Sequence, residues 1–371
     1  MRFLLIPLFL TVVVSAKYLS NESCKECHED IYHEYQSSMH SKSYFNDELH
    51  RKIANKVSNK RYECASCHMP VADNLKDLIE GKAKPDKNNI THTDAISCYF
   101  CHTIAYVKKV HKHFVNIKAK QIEGFKPSFY GTLKDVDHND KHESLKNPIY
   151  TKNVCKGCHA YKKNDYNTTI FRAMKDDDSS ESCIKCHMPK VKGEVENFDK
   201  KSRFSHKSHR FLGIHDAKFR QSGVDINISV KDHNIKVRLH NKMAHTLIIQ
   251  PARVKYLELI LIRDKKVIWK NFKIDPKEDQ KIFFEYKFYD KDHNSIIIPS
   301  QAYGVKRSNN LNAHESKDFI YHDIDLKKGD TVIATLYVRF AKRDCQKVIK
   351  LKHDIFKRSY IIKSVKKVIK R

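Results

Sequence analysis

The sequence has few of the residues that favour flexible, irregular chains, and it lacks the long apolar runs that cross membranes. It has nine glycines, nine prolines and one tryptophan in 371 residues, and its mean hydropathy is −0.64. These values argue against a low-complexity chain and against an integral membrane protein. No stretch reaches the roughly 20 apolar residues that a membrane span requires. The sequence therefore predicts a soluble, folded protein with room for two domains.

Acidic residues are also scarce. The chain has 44 Asp and Glu against 71 Lys and Arg, so its formal net charge is +27. Lysine supplies 56 of the basic residues, whereas arginine is the better residue for bidentate phosphate recognition. The sequence shows no basic stripe with interleaved aromatics and no nucleic-acid-binding motif. We therefore expect no nucleic-acid partner, and an acidic protein partner in preference to a basic one.

The first 16 residues have the features of a secretory signal peptide. Arg2 precedes an apolar run from Phe3 to Val14, and the small residues Ser15 and Ala16 follow. This run is too short for a membrane span. We expect cleavage after Ala16 and a periplasmic mature protein, with an uncleaved N-terminal anchor as the alternative.

Cysteine and histidine are abundant, with 11 and 23 residues. Ten of the cysteines form five Cys-x-x-Cys-His motifs, whereas this composition predicts about 0.02 such motifs by chance. In chain order, the first to fifth motifs are Cys24, Cys27 and His28; Cys64, Cys67 and His68; Cys98, Cys101 and His102; Cys155, Cys158 and His159; and Cys183, Cys186 and His187.

The motif suits covalent attachment of heme. Two thiols three residues apart can form thioether bonds to one porphyrin, and the next residue then presents its imidazole to the iron. Zinc sites and disulfide bonds are alternatives, but neither requires a histidine after every second cysteine. We predict five covalently bound heme c groups, with the five motif histidines as iron ligands.

The distribution of the motifs divides the chain near residue 215. Aliphatic residues are sparse around the motifs, so the hemes are expected to form the core there. Later segments show alternating or β-branched strand patterns: Val224–Val230, Ile235–Leu239, Tyr256–Ile262, Lys281–Phe288 and Thr331–Phe340. We predict an α+β fold with a signal peptide at 1–16, an irregular α-helical pentaheme domain at 17–215, an antiparallel β-sandwich at 216–345 and a tail at 346–371.

The tail is strongly basic. Its last 25 residues carry ten Lys or Arg and one Asp, and Leu351, Ile355, Ile362, Val365 and Ile369 fall near helical spacing. We expect an amphipathic basic helix that docks on an anionic membrane surface or an acidic partner, or that packs on its own domain. The unpaired Cys345 is expected to be a buried or incidental thiol.

Residues around the motifs resemble the multiheme cytochromes c related to the tetraheme cytochrome of the hydroxylamine-oxidation pathway. The likeness rests on segments spread over roughly residues 20–340, including Ser38-Met39-His40, Phe129-Tyr130-Gly131, Ser208-His209-Arg210 and Asn241 to His245. The resemblance implies that His40, His142, His209 and His245 are distal iron ligands. The alternative for each of them is an ordinary surface histidine. For the fifth distal position His92, His111, His113 and His206 compete, or one heme stays open.

These observations predict a c-type cytochrome that carries electrons between a membrane-associated donor and a redox enzyme. The alternative is a reductase or oxidase of small nitrogen or sulfur species that acts at one open heme. Against an enzyme, the chain has no Cys-x-x-Cys-Lys site of the kind that marks pentaheme nitrite reductases. A third hypothesis is a docking subunit whose β-domain and tail recruit partners.

Overall fold

A computed structural model describes residues 18–57, 61–122, 124–134, 136–137, 139–173, 182–195 and 202–370. The expected signal peptide at residues 1–16 lies outside these ranges. The structure contains both short helices and many strands, most of them antiparallel. The expectation of an α+β fold is therefore confirmed.

The motif-bearing half is built from short helices. They are α1 (Asn21–Lys25), α2 (Glu29–Ser37), α3 (Glu48–Val57), α4 (Ala65–His68), α5 (Leu75–Glu80), α6 (Ile90–Thr93), α7 (Cys98–His102), α8 (Ile149–Lys152), α9 (Lys156–His159) and α10 (Cys183–His187). Four of the five motifs lie on helices that end at the motif histidine. In the first motif, the amide of His28 donates to the carbonyl of Cys24 at 2.9 Å, which continues the helical turn beyond α1.

Four small sheets of two strands each also occur in this half, and the sequence pattern did not predict them. Their strands are β1 (Ile104–Lys109) with β2 (Phe114–Lys118), β3 (Ser128–Gly131) with β4 (Glu143–Lys146), β5 (Tyr161–Lys163) with β6 (Thr169–Arg172), and β7 (Lys190–Lys192) with β8 (Ser205–Lys207). Only the β3–β4 pair is parallel among these. The strands have three to six residues each, which is too short for a clear alternating pattern.

The second half is dominated by β-structure. It contains α11 (Ala217–Ser222), β9 (Val224–Lys231), β10 (Asn234–Asn241), β11 (Val254–Arg263), β12 (Lys266–Lys270), β13 (Phe283–Tyr289), β14 (Ser295–Ile296), β15 (Gly304–Asn309), β16 (Ser316–Tyr321), β17 (Thr331–Arg339), α12 (Arg343–Val348) and β18 (Tyr360–Val368). Short 3₁₀ helices occur at Pro276–Glu278, Gln280–Ile282, Pro299–Gln301 and Asp354–Phe356. All five segments predicted as strands from their sequence patterns overlap strands of the structure.

These strands form two sheets over one hydrophobic core. A three-stranded sheet has the order β16-β10-β9, and a seven-stranded sheet has the order β14-β13-β11-β17-β18, with β12 beside β11 and β15 beside β13. Val237 of the small sheet and Leu257 and Leu336 of the large sheet belong to the same buried cluster, and each is fully buried. The period of two places such residues on the inner faces.

The prediction of a terminal basic helix is wrong. Residues Tyr360–Val368 form β18, which pairs antiparallel with β17. The β-branched residues of this segment suit a strand, and pairing with β17 satisfies its backbone groups. The Lys363 and Lys367 side chains bond to carbonyls of β9. The β-region thus extends past residue 345, and the helix on which membrane docking was predicted does not form.

Contacts between α3 and the chain beyond α12 join the two halves. The Glu48 carboxylate accepts the backbone N–H groups of Lys352 and His353 at 2.8 and 3.0 Å. Leu49 of α3 belongs to the core cluster of the sheets. The α3 helix is therefore anchored by the β-region. No helix within the described ranges is long and apolar enough to cross a membrane.

Candidate heme-binding sites

The ten motif cysteines lie in the described part of the chain with free thiols. None of them forms a disulfide bond there, and nor does the buried Cys345. Among the described residues, no group of three or more His, Cys, Asp or Glu side chains is placed to hold a metal ion directly. A zinc site of the Cys₄ or Cys₃His kind would need such a group. Thioether attachment explains the histidine in every motif, which neither alternative requires.

Each motif histidine faces a second histidine from elsewhere in the chain. The five pairs, with the distances between ring centres, are His28 and His142 at 6.3 Å, His68 and His50 at 4.9 Å, His102 and His209 at 6.1 Å, His159 and His40 at 5.9 Å, and His187 and His245 at 6.3 Å. One member of every pair follows a Cys-x-x-Cys sequence, and the other does not.

The spacing of the rings matches two imidazoles that share one metal ion. With metal–nitrogen bonds of about 2 Å on each side, the two ring centres lie about 6 Å apart. Four pairs are within 0.4 Å of this value, from 5.9 to 6.3 Å. The rings of His50 and His68 are closer, at 4.9 Å, and would have to separate by about 1 Å to hold an iron ion.

Hydrogen bonds at Nδ1 orient the motif histidines. His28 and His102 each donate from Nδ1 to a backbone carbonyl at 2.7 Å, that of Val195 and that of Tyr130. His187 bonds in the same way to a carbonyl, and His68 bonds to a serine hydroxyl. Since a carbonyl only accepts, its bond places the proton on Nδ1 and leaves the Nε2 lone pair free for a metal.

Most of the facing histidines are held in the same manner. Nδ1 of His209 bonds to the Lys207 carbonyl at 2.8 Å, and Nδ1 of His245 bonds to the Thr246 carbonyl at 2.9 Å. His142 bonds to the Ser144 hydroxyl at 3.1 Å. His50 is different, because its Nδ1 bonds to a carboxylate, that of Asp47. Nδ1 of His40 is buried without a hydrogen-bond partner.

Burial keeps several of the paired imidazoles neutral. It lowers the pKa of His40, His68 and His209 to about 3. It lowers the pKa of His142 and His245 to about 4. Since only the neutral imidazole has a lone pair for a metal, the residues present fit the iron of a heme.

The structure brings together all four histidines that the family resemblance implied. His40, His142, His209 and His245 each face a motif histidine. The sequence analysis missed the fifth partner, His50. Its signal is the spacing Asp47-x-x-His50 at the start of α3, which lets the aspartate bond to the imidazole within one helical turn.

The four other candidates for the fifth distal position are not paired with motif histidines. In the described chain, none of His92, His111, His113 and His206 forms a ring pair with a motif histidine. Nε2 of His92 bonds to the Asn74 side chain at 2.8 Å. Nε2 of His206 bonds to the Glu34 carboxylate at 3.2 Å.

Five Cys-x-x-Cys-His motifs with histidine pairs at metal-sharing distance define a multiheme c-type cytochrome. The family of nitrate reductase cytochrome c-type subunits (NapB) matches residues 14–85, which include the first two motifs. The structure is similar to the crystal structure of a penta-heme cytochrome c552 from Thermochromatium tepidum, with a TM-score of 0.74 and 20% sequence identity over 95% of this chain and 99% of that chain. A search of curated protein sequences gave no significant match.

These comparisons support the class and the fold. Neither match is to a cytochrome of the hydroxylamine-oxidation pathway. The resemblance that the motif-flanking residues suggested is therefore supported only at the level of multiheme c-type cytochromes.

Proposed function

We propose that this protein is a periplasmic electron carrier that binds five heme c groups and transfers electrons between a membrane-associated donor and a redox enzyme. The observation that carries the proposal is that each of the five motif histidines faces a second imidazole. An iron with two histidine ligands has no open position for a substrate, so it only exchanges electrons.

In this proposal the ten motif cysteines attach the porphyrins and the ten paired histidines bind the irons. Residues 17–215 form the heme-binding region, and the β-region from residue 216 supplies one distal ligand, His245. A bound heme supplies one-electron iron chemistry. The chain holds both imidazoles of each pair in fixed orientations, so that little rearrangement accompanies reduction.

Contacts between cysteines of different motifs indicate which hemes are neighbours. The Cys24 and Cys98 thiols lie close enough to shift each other's pKa, which joins the first motif to the third. Because these sulfur atoms would attach the porphyrins, the hemes of the two motifs would be neighbours.

The second, fourth and fifth motifs are joined in the same way. Cys67 contacts Cys158, and Cys155 contacts Cys183. The fourth motif therefore contributes one thiol to a contact with the second motif and the other thiol to a contact with the fifth. In the proposed route, its heme is a branch point.

An aromatic side chain links this group to the first and third motifs. The ring of Phe211 lies 4.3 Å from that of His40 and 5.8 Å from that of His209, measured between centres. These histidines face the motif histidines His159 and His102. Phe211 thus lies between the fourth and third heme sites, and all five sites belong to one connected network.

The comparisons support an enzyme partner. The matched family is described as a cytochrome subunit of nitrate reductase, which supports electron delivery to a reductase by this chain. The net charge of +27 favours an acidic docking surface on that partner. The apolar run at residues 3–14 supports export to the periplasm.

The alternative function is reduction or oxidation of a small nitrogen or sulfur species at one open heme. The second motif is the site that favours it. The ring centres of His50 and His68 are 4.9 Å apart, closer than in the other pairs. If His50 moved aside instead of binding iron, the heme of this motif would have a free position.

Absorption spectra of the purified holoprotein, with and without carbon monoxide, distinguish the two functions. The electron carrier is expected to have five low-spin hemes and a ferrous spectrum that carbon monoxide leaves unchanged. A high-spin ferric band, together with a carbon monoxide shift for about one heme in five, would contradict the carrier and favour the enzyme.

A further inference from the structure

Three cations with buried nitrogen atoms lie near the fifth heme site, and none has an ion-pair partner among the described residues. Nε of Arg253 and Nε of Arg172 are buried without a hydrogen-bond partner. Lys255 is 7% exposed, and its Nζ donates to the Leu247 carbonyl. Within the described residues, none of the three forms an ion pair with a carboxylate. Buried charges of this kind are costly unless they are paired.

The backbone of Arg172 and the side chain of Lys255 both contact the segment that follows His245. The Thr246 hydroxyl donates to the Arg172 carbonyl at 3.5 Å, and Lys255 bonds one residue further on, at Leu247. The charge of Lys255 also acts on the His245 ring, whose protonation it disfavours. This side of the site is therefore strongly positive.

Arg253 reaches the same site from the side of the motif histidine. Its guanidinium lies 3.4 Å from Nε2 of His215. His215 follows closely after Leu212, whose carbonyl accepts from His187. The acidic residue whose charge acts on Arg253 is Asp47, but that carboxylate is already bonded to His50.

The two β-region cations oppose each other. Burial, with the charge of Arg253 adding to it, lowers the pKa of Lys255 to about 7. Burial lowers the pKa of Arg253 to about 10. Two adjacent cations that are both destabilised by their surroundings form a site that an anion would complete.

We propose that Arg253 and Lys255, with Arg172 beside them, form a carboxylate site that binds the propionate groups of the heme at the fifth motif. This inference rests on the proposed function. Each heme carries two propionates, and covalent attachment holds them at a high local concentration next to these cations. A small anion from solution is the alternative ligand for these cations. It has no binding position on the iron, because the rings of His187 and His245 face each other there.

Pairing of this kind sets the potential of that heme. Cations next to the propionates cancel negative charge that would otherwise stabilise the ferric state. Arg253 and Lys255 come from the turn before β11 and from β11 itself, so the β-region would raise the reduction potential of a heme that the other half attaches.

Potentiometric titration of the holoprotein, followed by absorbance, tests the proposal. In Arg253→Gln and in Lys255→Met, the ferric-to-ferrous ratio of one of the five hemes is expected to rise about tenfold at a given potential. This corresponds to a fall of about 59 mV in the reduction potential of a one-electron couple. Arg253→Lys keeps the charge and should restore most of the potential. If Arg253→Gln does not accumulate, Lys255→Met carries the test. Unchanged potentials in the variants that fold overturn the proposal.

A matched control is Lys342→Met. Lys342 is a half-buried lysine of the same half, but its Nζ lies 3.5 Å from the Glu285 carboxylate, so the heme potentials should not change. Nitrite and acetate added to the wild-type protein test the free-anion source. A potential shift on their addition that is lost in Arg253→Gln would overturn propionate binding.

The two proposals fail in different ways. If the wild-type protein binds carbon monoxide, the electron-carrier function fails. If all hemes are low-spin and the variant potentials equal those of the wild type, only the propionate site fails.

Discussion

The interior of the C-terminal half is made of aliphatic and aromatic side chains from two sheets, with fully buried residues such as Leu257, Phe284 and Leu336. Among the described residues of the N-terminal half, the buried apolar side chains form two small clusters, centred on residues such as Met69, Leu78 and Phe100. Between them lie the buried imidazoles of the histidine pairs. One half thus supplies its own core, and the other is organised around sites for groups that are not amino acids.

This difference teaches how a basic chain with little aliphatic material can fold. Large porphyrin rings bury apolar surface in place of side chains, and their iron–histidine bonds tie together segments that are distant in sequence. The helices of this half have no more than ten residues, which is too short for stability without such support.

The largest expected effect is loss of the N-terminal half when heme is withheld. Expressed in a host without cytochrome c maturation, the full chain should be digested by protease up to about residue 215, while the sheets from β9 onward resist because nearly all of their core comes from their own half. The holoprotein should stay whole under the same digestion. Equal protease resistance of both halves without heme would contradict the claim that only the N-terminal half depends on heme.

Replacement of the distal histidine that the sequence analysis missed should open one heme. In His50→Ala, about one-fifth of the heme absorbance should become high-spin and bind carbon monoxide, because one iron loses its second axial ligand. His92→Ala is the control, since the His92 imidazole bonds to Asn74 and faces no motif histidine. A carbon monoxide response in His92→Ala and none in His50→Ala would reverse the assignment.

A core substitution in the sheets should weaken that half and leave the hemes low-spin. Phe284 is fully buried, so Phe284→Ala should lower the free energy of unfolding by about 3–5 kcal/mol. Fluorescence of Trp269 on β12 reports unfolding of this half. Ile274→Ala, at a residue 85% exposed, should change it by less than about 0.5 kcal/mol. Equal effects would show that the sheets do not depend on this core.

The smallest expected effect concerns the carboxylate beside His50. Asp47→Asn should raise the potential of the heme at the second motif by about 60 mV, a tenfold shift, because a carboxylate on Nδ1 makes the imidazole a stronger ligand for ferric iron. Ser144→Ala removes a neutral hydrogen-bond partner of His142. It should change the reduction potential of the heme at the first motif by a smaller amount. A larger shift in Ser144→Ala would contradict this ranking of the ligands.

Much of the β-region could be predicted from the sequence. Alternation in segments such as Val224–Val230 directly indicates strands. Asp264 and Lys265 have positive φ in the tight connection between β11 and β12. The prediction failed at the tail, where Ile362, Val365 and Ile369 fit a helical period. These residues instead belong to β18 or follow it, because β17 offers a free edge to pair with.

The sequence by itself determined where heme attaches, because Cys-x-x-Cys-His brings two thiols and one imidazole together within a single helical turn. Only the tertiary structure decided which second histidine faces each iron position. In three of the pairs the partners are more than a hundred residues apart, as with His28 and His142, and in a fourth the partner comes from the β-region. No local pattern encodes such distances, since they arise when the whole chain packs.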